Sequence, residues 1–211
     1  MTGLPVLLVA ASGLAREVMS VLAHAGVPVL GFLDDDPALA RARIGGHAVL
    51  GPLEAAVDHP GSALVLCAGK GAGRRAMAGR LAELGVGDDR FATVIAPGVY
   101  VPASCRVGAG SILLAGTVLT ADVTLGRHVV CMPQVTLTHD DVVDDFVTLA
   151  AGVTLGGGVR VGEAAYLGMN SSVRERLLVG AGATLGMGAV LVRDQPAGET
   201  WAGVPAGRME P

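Results

Sequence analysis

From Ile95 onward the chain repeats every six residues. Stepping by six from Ile95 to Leu191 passes 17 hexads without a break in phase, and 16 of the anchors are Val, Leu or Ile, with Cys131 the exception. The next residue is glycine in seven hexads, at Gly108, Gly126, Gly156, Gly162, Gly168, Gly180 and Gly186. A β-sandwich would show alternation of period two broken by irregular turns. A period of six predicts a parallel β-helix, in which each hexad gives a short strand and a corner and the anchors stack inward as an aliphatic column. Glycine is expected at corners that need positive φ.

Composition agrees with such a narrow core. Hydrophobic residues make up 51% of the chain and aromatics only 3%, beside 32 glycines. Although the mean hydropathy is +0.57, no stretch of about 18 residues is continuously apolar, so no membrane insertion is expected. Met1–Pro5 carries no basic run ahead of Val6–Ala11, which argues against a secretory leader. Three cysteines without metal spacing, Cys67, Cys105 and Cys131, fit reduced thiols and a cytoplasmic setting. A net charge of -4 and a pI near 5.7 argue against nucleic acid as a partner.

The first 94 residues read differently. Pro5–Ala10, Val27–Leu33, Ala63–Ala68 and Phe91–Ile95 read as strands, with helices over Leu14–Ala25 and from about Arg74 to Leu84. That order predicts a small Rossmann-like α/β unit with a parallel sheet over 1–94, then a β-helix over 95–196 and a tail over 197–211. The turn Ala10–Ala15 lacks two glycines of the dinucleotide fingerprint. It keeps a helix N-terminus at Ser12 and Gly13 that can face an anion. Asp34 and Asp35 end the second strand, where an acid can hold a ribose or base. Lys70 lies in the glycine-rich run Gly69–Gly73 and can meet a phosphate. A solvated acidic loop and an ordinary turn account for the same residues.

The repeat region holds two histidines, the side chain suited to general acid–base work near neutral pH. His128, in the fourth position of its hexad beside Arg127, reads as a solvent-facing side chain. His139, third in its hexad and followed by Asp140 and Asp141, is the candidate base.

The hexads, the Ala11–Gly13 turn, the Phe32–Asp35 run, the His139–Asp140 pair and Gly203–Ala206 together resemble the hexapeptide-repeat sugar acetyltransferases. Within them the chain is similar to the bacillosamine-type N-acetyltransferases and the sialic-acid O-acetyltransferases. The resemblance implies a left-handed β-helix with three hexads per triangular coil, a homotrimer, and acetyl-CoA bound in grooves between subunits. It implies a nucleotide-sugar acceptor, UDP-linked in the bacillosamine case, held by Ser12, Gly13, Asp34, Asp35 and Lys70. It also implies His139 as general base, Asp140 as its orienting acid and no metal. Residues 18 apart would stack, placing Gly157 over His139, where its N–H would meet the acetyl carbonyl. Gly168 and Gly186, also 18 apart, would keep a cofactor groove open or serve as plain corner glycines. Departures from the family pattern fall at Ala10, Met132 and Thr148. A γ-type carbonic anhydrase would need three histidine ligands, and a silent nucleotide-sugar-binding scaffold is the non-enzyme alternative.

Overall fold

The computed structural model describes residues 4–210; Met1–Gly3 and Pro211, at the outer ends of the first and last segments, lie outside the described residues. The amino-terminal unit is built on β1 (Val6–Val9), α1 (Gly13–His24), β2 (Val29–Leu33), β3 (Arg43–Ile44), β4 (His47–Gly51), β5 (Ala63–Leu66) and α2 (Gly71–Glu83). Its sheet has the order β3-β4-β2-β1-β5. Strands β4, β2, β1 and β5 are parallel, and β3 pairs antiparallel with β4. β1 and β5 are buried along their whole length, as apolar runs covered on both faces must be.

From β1 the chain first moves to β2 and β4 on one side and then returns to β5 on the other. The carboxyl ends of β1 and β5 therefore form a topological switch point, the crevice where open parallel sheets bind ligands. Both helices begin there. Ser12 caps α1 by accepting from the Ala15 N–H at 3.2 Å, and its hydroxyl donates to the Cys67 carbonyl at 2.6 Å, so it ties the turn after β1 to the turn after β5.

The sequence joins Phe91–Ile95 to this sheet, and the structure divides it. Only Phe91 bridges to Leu64, whereas Val94–Ile95 pairs with Ile112–Leu113 as the first rung of the solenoid. An apolar run specifies a strand but not the sheet it enters. The hairpin of β3 and β4 was not foreseen, because its strands are short and half-exposed. Helix α2 starts at Gly71, three residues before the predicted start. Its first turn lies so close to the next unit that a Cβ at Gly71 would overlap the Phe146 carbonyl.

Beyond Val94 the chain winds as a parallel β-helix with three faces. Two-residue strands pair with strands 18 residues on, as in Thr124 with Val142 and Thr136 with Thr154. The first face carries Ile112–Leu113, Val130–Cys131, Thr148–Leu149, Tyr166–Leu167 and Thr184–Leu185; the second carries Val118–Leu119 through Val190–Leu191; the third carries Arg106–Val107 through Leu178–Val179. The anchors and the residues four positions later form one buried aliphatic column. Thr200–Ala202 extends the first face and Gly207–Arg208 folds back on it, so the residues after 196 are part of the structure and Trp201 closes the column.

The corner glycines are not where the sequence reading placed them. Positive φ falls on the third residue after each anchor, from Gly110 to Gly188, and eight of these corners are non-glycine, including Asp122, His128, Gln134, Asp140 and Phe146. The glycines directly after the anchors have another cause. A Cβ at Gly162 would lie 2.5 Å from the Ala181 nitrogen, and one at Gly168 2.6 Å from the Met187 nitrogen. They are glycine because the next coil's backbone passes over them.

The α/β unit packs on the first face, with α1 against Ile112, Leu114 and Val130 in a shared core. Arg74 pins the two units together. It is fully buried, and its guanidinium donates to the carbonyls of Ala68, Gly69, His128, Phe146 and Val147 and to the Thr148 hydroxyl. Desolvation among neutral acceptors lowers its pKa to about 10, so it remains charged at neutral pH.

Candidate active site

His139 sits at the edge between the second and third faces, just before Asp140, whose φ of 65° turns the corner. Its Nδ1 lies 2.8 Å from Asp140 Oδ2. The two side chains are 69% and 67% exposed, so Asp140 orients the ring from the solvent side. The opposite edge of the ring faces Gly157. A Cβ there would lie 2.5 Å from both Nε2 and Cε1, so any side chain at 157 would occupy the space over the free nitrogen. The His139 carbonyl accepts from the Gly158 N–H at 2.8 Å, which fixes the coil above, while the Gly157 N–H has no acceptor among the described residues.

Asp141 completes this corner and was not singled out in the sequence. It occupies an inward position of the column and is 0% exposed. It accepts from the Thr138 N–H at 2.8 Å and from the Val159 N–H at 2.9 Å. Burial pushes its carboxyl up to about 6, against the lowering effect of those two donors.

The amino-terminal candidates lie elsewhere and do not all share one cleft. Asp34 accepts from the Ala11 and Asp36 N–H groups, holding the turn after β1 against the end of β2. Asp35 pairs with Arg80 and accepts from Leu53 N–H, and the Arg80 contact lowers its pKa. Both lie in a cleft of about 90 Å³ with Val9, Ala10 and Met77. Ser12 is spent on the helix cap, and Gly13 opens α1 with free space where a Cβ would stand. Lys70 precedes α2 and borders a cleft of about 550 Å³ with Arg75, Glu163, Tyr166 and Thr184. Between α1 and the first face lies an apolar cleft of about 230 Å³ lined by Leu14, Gly69, Met132, Thr148, Tyr166 and Met169. Thr148, a departure from the family pattern, donates to the Gly69 carbonyl and accepts from Arg74.

His139 lines none of these clefts. It stands on the edge opposite the first face, on which the α/β unit is seated. Gly168 and Gly186 follow anchors of the first face and so lie on a different edge from Gly157, against Met187 and Ala202.

His128 is the clearest correction. Predicted to face solvent, it is 2% exposed, edge-on to Phe91 at 4.6 Å and stacked on Phe146 at 5.1 Å. Desolvation lowers its pKa to about 4, helped by Arg127 and Arg74, so it is a neutral packing residue.

The chain matches solved structures over nearly its whole length. It is similar to the acetyltransferase domain of PglB from Neisseria gonorrhoeae, with 30% identity, a TM-score of 0.88, and 97% of this chain and 99% of that one covered. The chain belongs to the hexapeptide-repeat sugar acetyltransferases. It is also similar to PerB of Caulobacter crescentus, solved with CoA and GDP-perosamine, at 28% identity, TM-score 0.89 and coverage of 98% and 97%. A third relative is WeeI of Acinetobacter baumannii, at 26% identity, TM-score 0.86 and coverage of 97% and 99%. Among curated sequences, a UDP-3-O-acylglucosamine N-acyltransferase of Caulobacter sp. is 32% identical over 100 residues, 47% of this chain and 29% of that protein. The chain thus spans about a third of the length of the curated relatives it matches. No family model matches. The stacked parallel sheets of this chain are consistent with the left-handed β-helix of the family. Among its described residues there is no cluster of three or more potential metal ligands and no helix long and apolar enough to cross a membrane.

Proposed function

We propose that this chain is a cytoplasmic homotrimer that transfers the acetyl group of acetyl-CoA to the amino group of a nucleotide-linked amino sugar. Residues 1–94 serve as a Rossmann-like nucleotide-sugar unit, and the left-handed β-helix supplies the chemistry. The observation that carries the reading is His139, with Nδ1 on Asp140 and its Nε2 edge against Gly157, where only a glycine leaves the ring its place. That the solved PerB complex holds CoA and GDP-perosamine supports both the donor and the class of acceptor.

In this reading Nδ1–H donates to Asp140, which leaves Nε2 as the base. As the amine nitrogen attacks the thioester carbonyl carbon, Nε2 takes its proton, and the imidazolium then returns a proton to the departing thiolate sulfur as the C–S bond breaks. The N–H of Gly157, free of an acceptor among the described residues, is the donor to the developing oxyanion in this reading. The sugar nucleotide enters at the switch point, where Ser12, Gly13, Asp34, Asp35 and Lys70 surround the ends of β1, β2 and β5. Because His139 is on the opposite edge of the same chain, the acceptor held by one subunit meets the base of the next, and the trimer is required.

The test is thioester cleavage with acetyl-CoA across UDP-, GDP- and dTDP-linked amino sugars and free hydroxylated sugars. Acetyl-CoA turnover with a nucleotide amino sugar is expected. Turnover with hydroxyl acceptors alone would move the assignment to O-acetylation, and no thioester cleavage with any acceptor would leave a binding scaffold.

A further inference from the structure

The coil that carries His139 breaks the hydrogen-bond ladder of the solenoid at one rung. From Gly108 to Arg174, the residue after each anchor donates its N–H to the carbonyl 17 residues on, as in Met132 to Leu149, Asp144 to Val161 and Gly156 to Val173. Thr138 alone does not. Its N–H turns inward to Asp141 Oδ2 at 2.8 Å, and its hydroxyl takes over the abandoned Leu155 carbonyl at 3.0 Å. The other oxygen of Asp141 accepts from Val159 N–H at 2.9 Å, in the coil that carries Gly157 and Gly158.

We propose that Thr138 and Asp141 form a side-chain bridge that replaces one rung of the ladder in order to aim His139 at Gly157, with Asp141 the positioning residue for the base. The inference rests on the reading of His139 as that base. An amide cannot point to Leu155 and to Asp141 at once, so the Leu137–Thr138 amide, one peptide ahead of the one that joins His139, leaves the ladder that its equivalents keep. Asp141 then joins the coil of the base to the coil that would hold the oxyanion. A carboxylate is an expensive choice for this position, since Val123 and Val159 fill the same column one coil away on either side. Ser111 shows that the link to the neighbouring coil alone needs no carboxylate. At the equivalent hexad position on another edge, its hydroxyl accepts from Val129 N–H at 3.0 Å and donates to the Gly126 carbonyl at 3.0 Å. What only an acid with two acceptor oxygens adds is the second bond, to Thr138.

Asp141→Ser keeps an acceptor for Val159 and gives up the bond to Thr138, while Thr138→Val removes the hydroxyl that satisfies Leu155. Each is expected to lower kcat by about tenfold or more, as small displacements of a catalytic group do, with the acetyl-CoA KM within about twofold of the parent and trimer mass unchanged. The double variant should be no slower than the worse single one, because both changes break one device. In a His139→Ala background, Asp141→Ser should have no further effect. Parental kcat in both single variants, or an equal loss with His139 already removed, overturns the proposal. Parental turnover in His139→Ala itself would instead refute the reading beneath it, and the two failures are read from separate proteins.

Discussion

At His128 the packing geometry allows a test that leaves the fold in place. Phe146, 18 residues on, adopts φ 62° at the equivalent corner, so His128→Phe keeps an aromatic ring there while removing a titrating group and a buried Nδ1 without a hydrogen-bond partner. The folded pKa near 4 lies below the ordinary 6.5. Between those values the unfolded chain binds more protons, so the stability associated with neutral His128 is present above pH 6.5 and is lost as the pH falls toward 4. The stability of His128→Phe should therefore gain on the parent's as the pH drops from 7 to 5, by about 2 kcal/mol, read as a widening difference in melting temperature. A gap independent of pH would contradict the burial of this ring. Asp141 has the opposite sign: its folded pKa near 6 is above the ordinary 3.8, so its contribution is largest below pH 3.8 and declines as the pH rises through 6. Calorimetry of Asp141→Val should show the variant losing ground to the parent on acidification. The His139–Asp140 pair was legible because a motif carried it. His128 and Arg74 were not, because Phe91 and the carbonyls of Phe146 and Val147 reach them from other elements, and charged or polar residues are ordinarily exposed.

The hexads made the solenoid legible as an element, since a period of six with aliphatic anchors leaves few other folds open. What the period could not show is why glycine follows the anchors. Gly162→Ala should cost about 1–3 kcal/mol by forcing Cβ onto the Ala181 backbone. Gly182→Ala, at φ 64° in open space, should cost about 1 kcal/mol, the ordinary left-handed penalty. Denaturant midpoints would separate them, and equal losses would argue that φ governs both positions. The α/β unit was legible in its first strands and helices, where apolar runs alternate with capped amphipathic segments. It was illegible at Val94–Ile95, because sheet membership depends on what the solenoid presents to the strand. Arg74→Met tests the joint between the two units. It leaves several buried carbonyls with fewer donors and should destabilise by about 3 kcal/mol or more, with the α/β unit melting apart from the solenoid in calorimetry.

In the whole molecule, one chain places His139 on one edge of the prism and the switch-point crevice of the α/β unit against the opposite face. Light scattering should report about three times the 21.1 kDa chain mass, and an active monomer would remove the need for a shared site. The most direct test of the account is subunit complementation between His139→Ala, which lacks the base, and Lys70→Glu, which opposes the anionic acceptor at the crevice. Each trimer alone should be slow, with His139→Ala reduced in kcat by about 10² to 10⁴. After unfolding and refolding as an equimolar mixture, random assembly leaves about a quarter of the interfaces with an intact base facing an intact crevice, and activity should recover to about that fraction of the parent. A refolded mixture that forms mixed trimers yet stays as slow as its components would contradict a site completed between subunits.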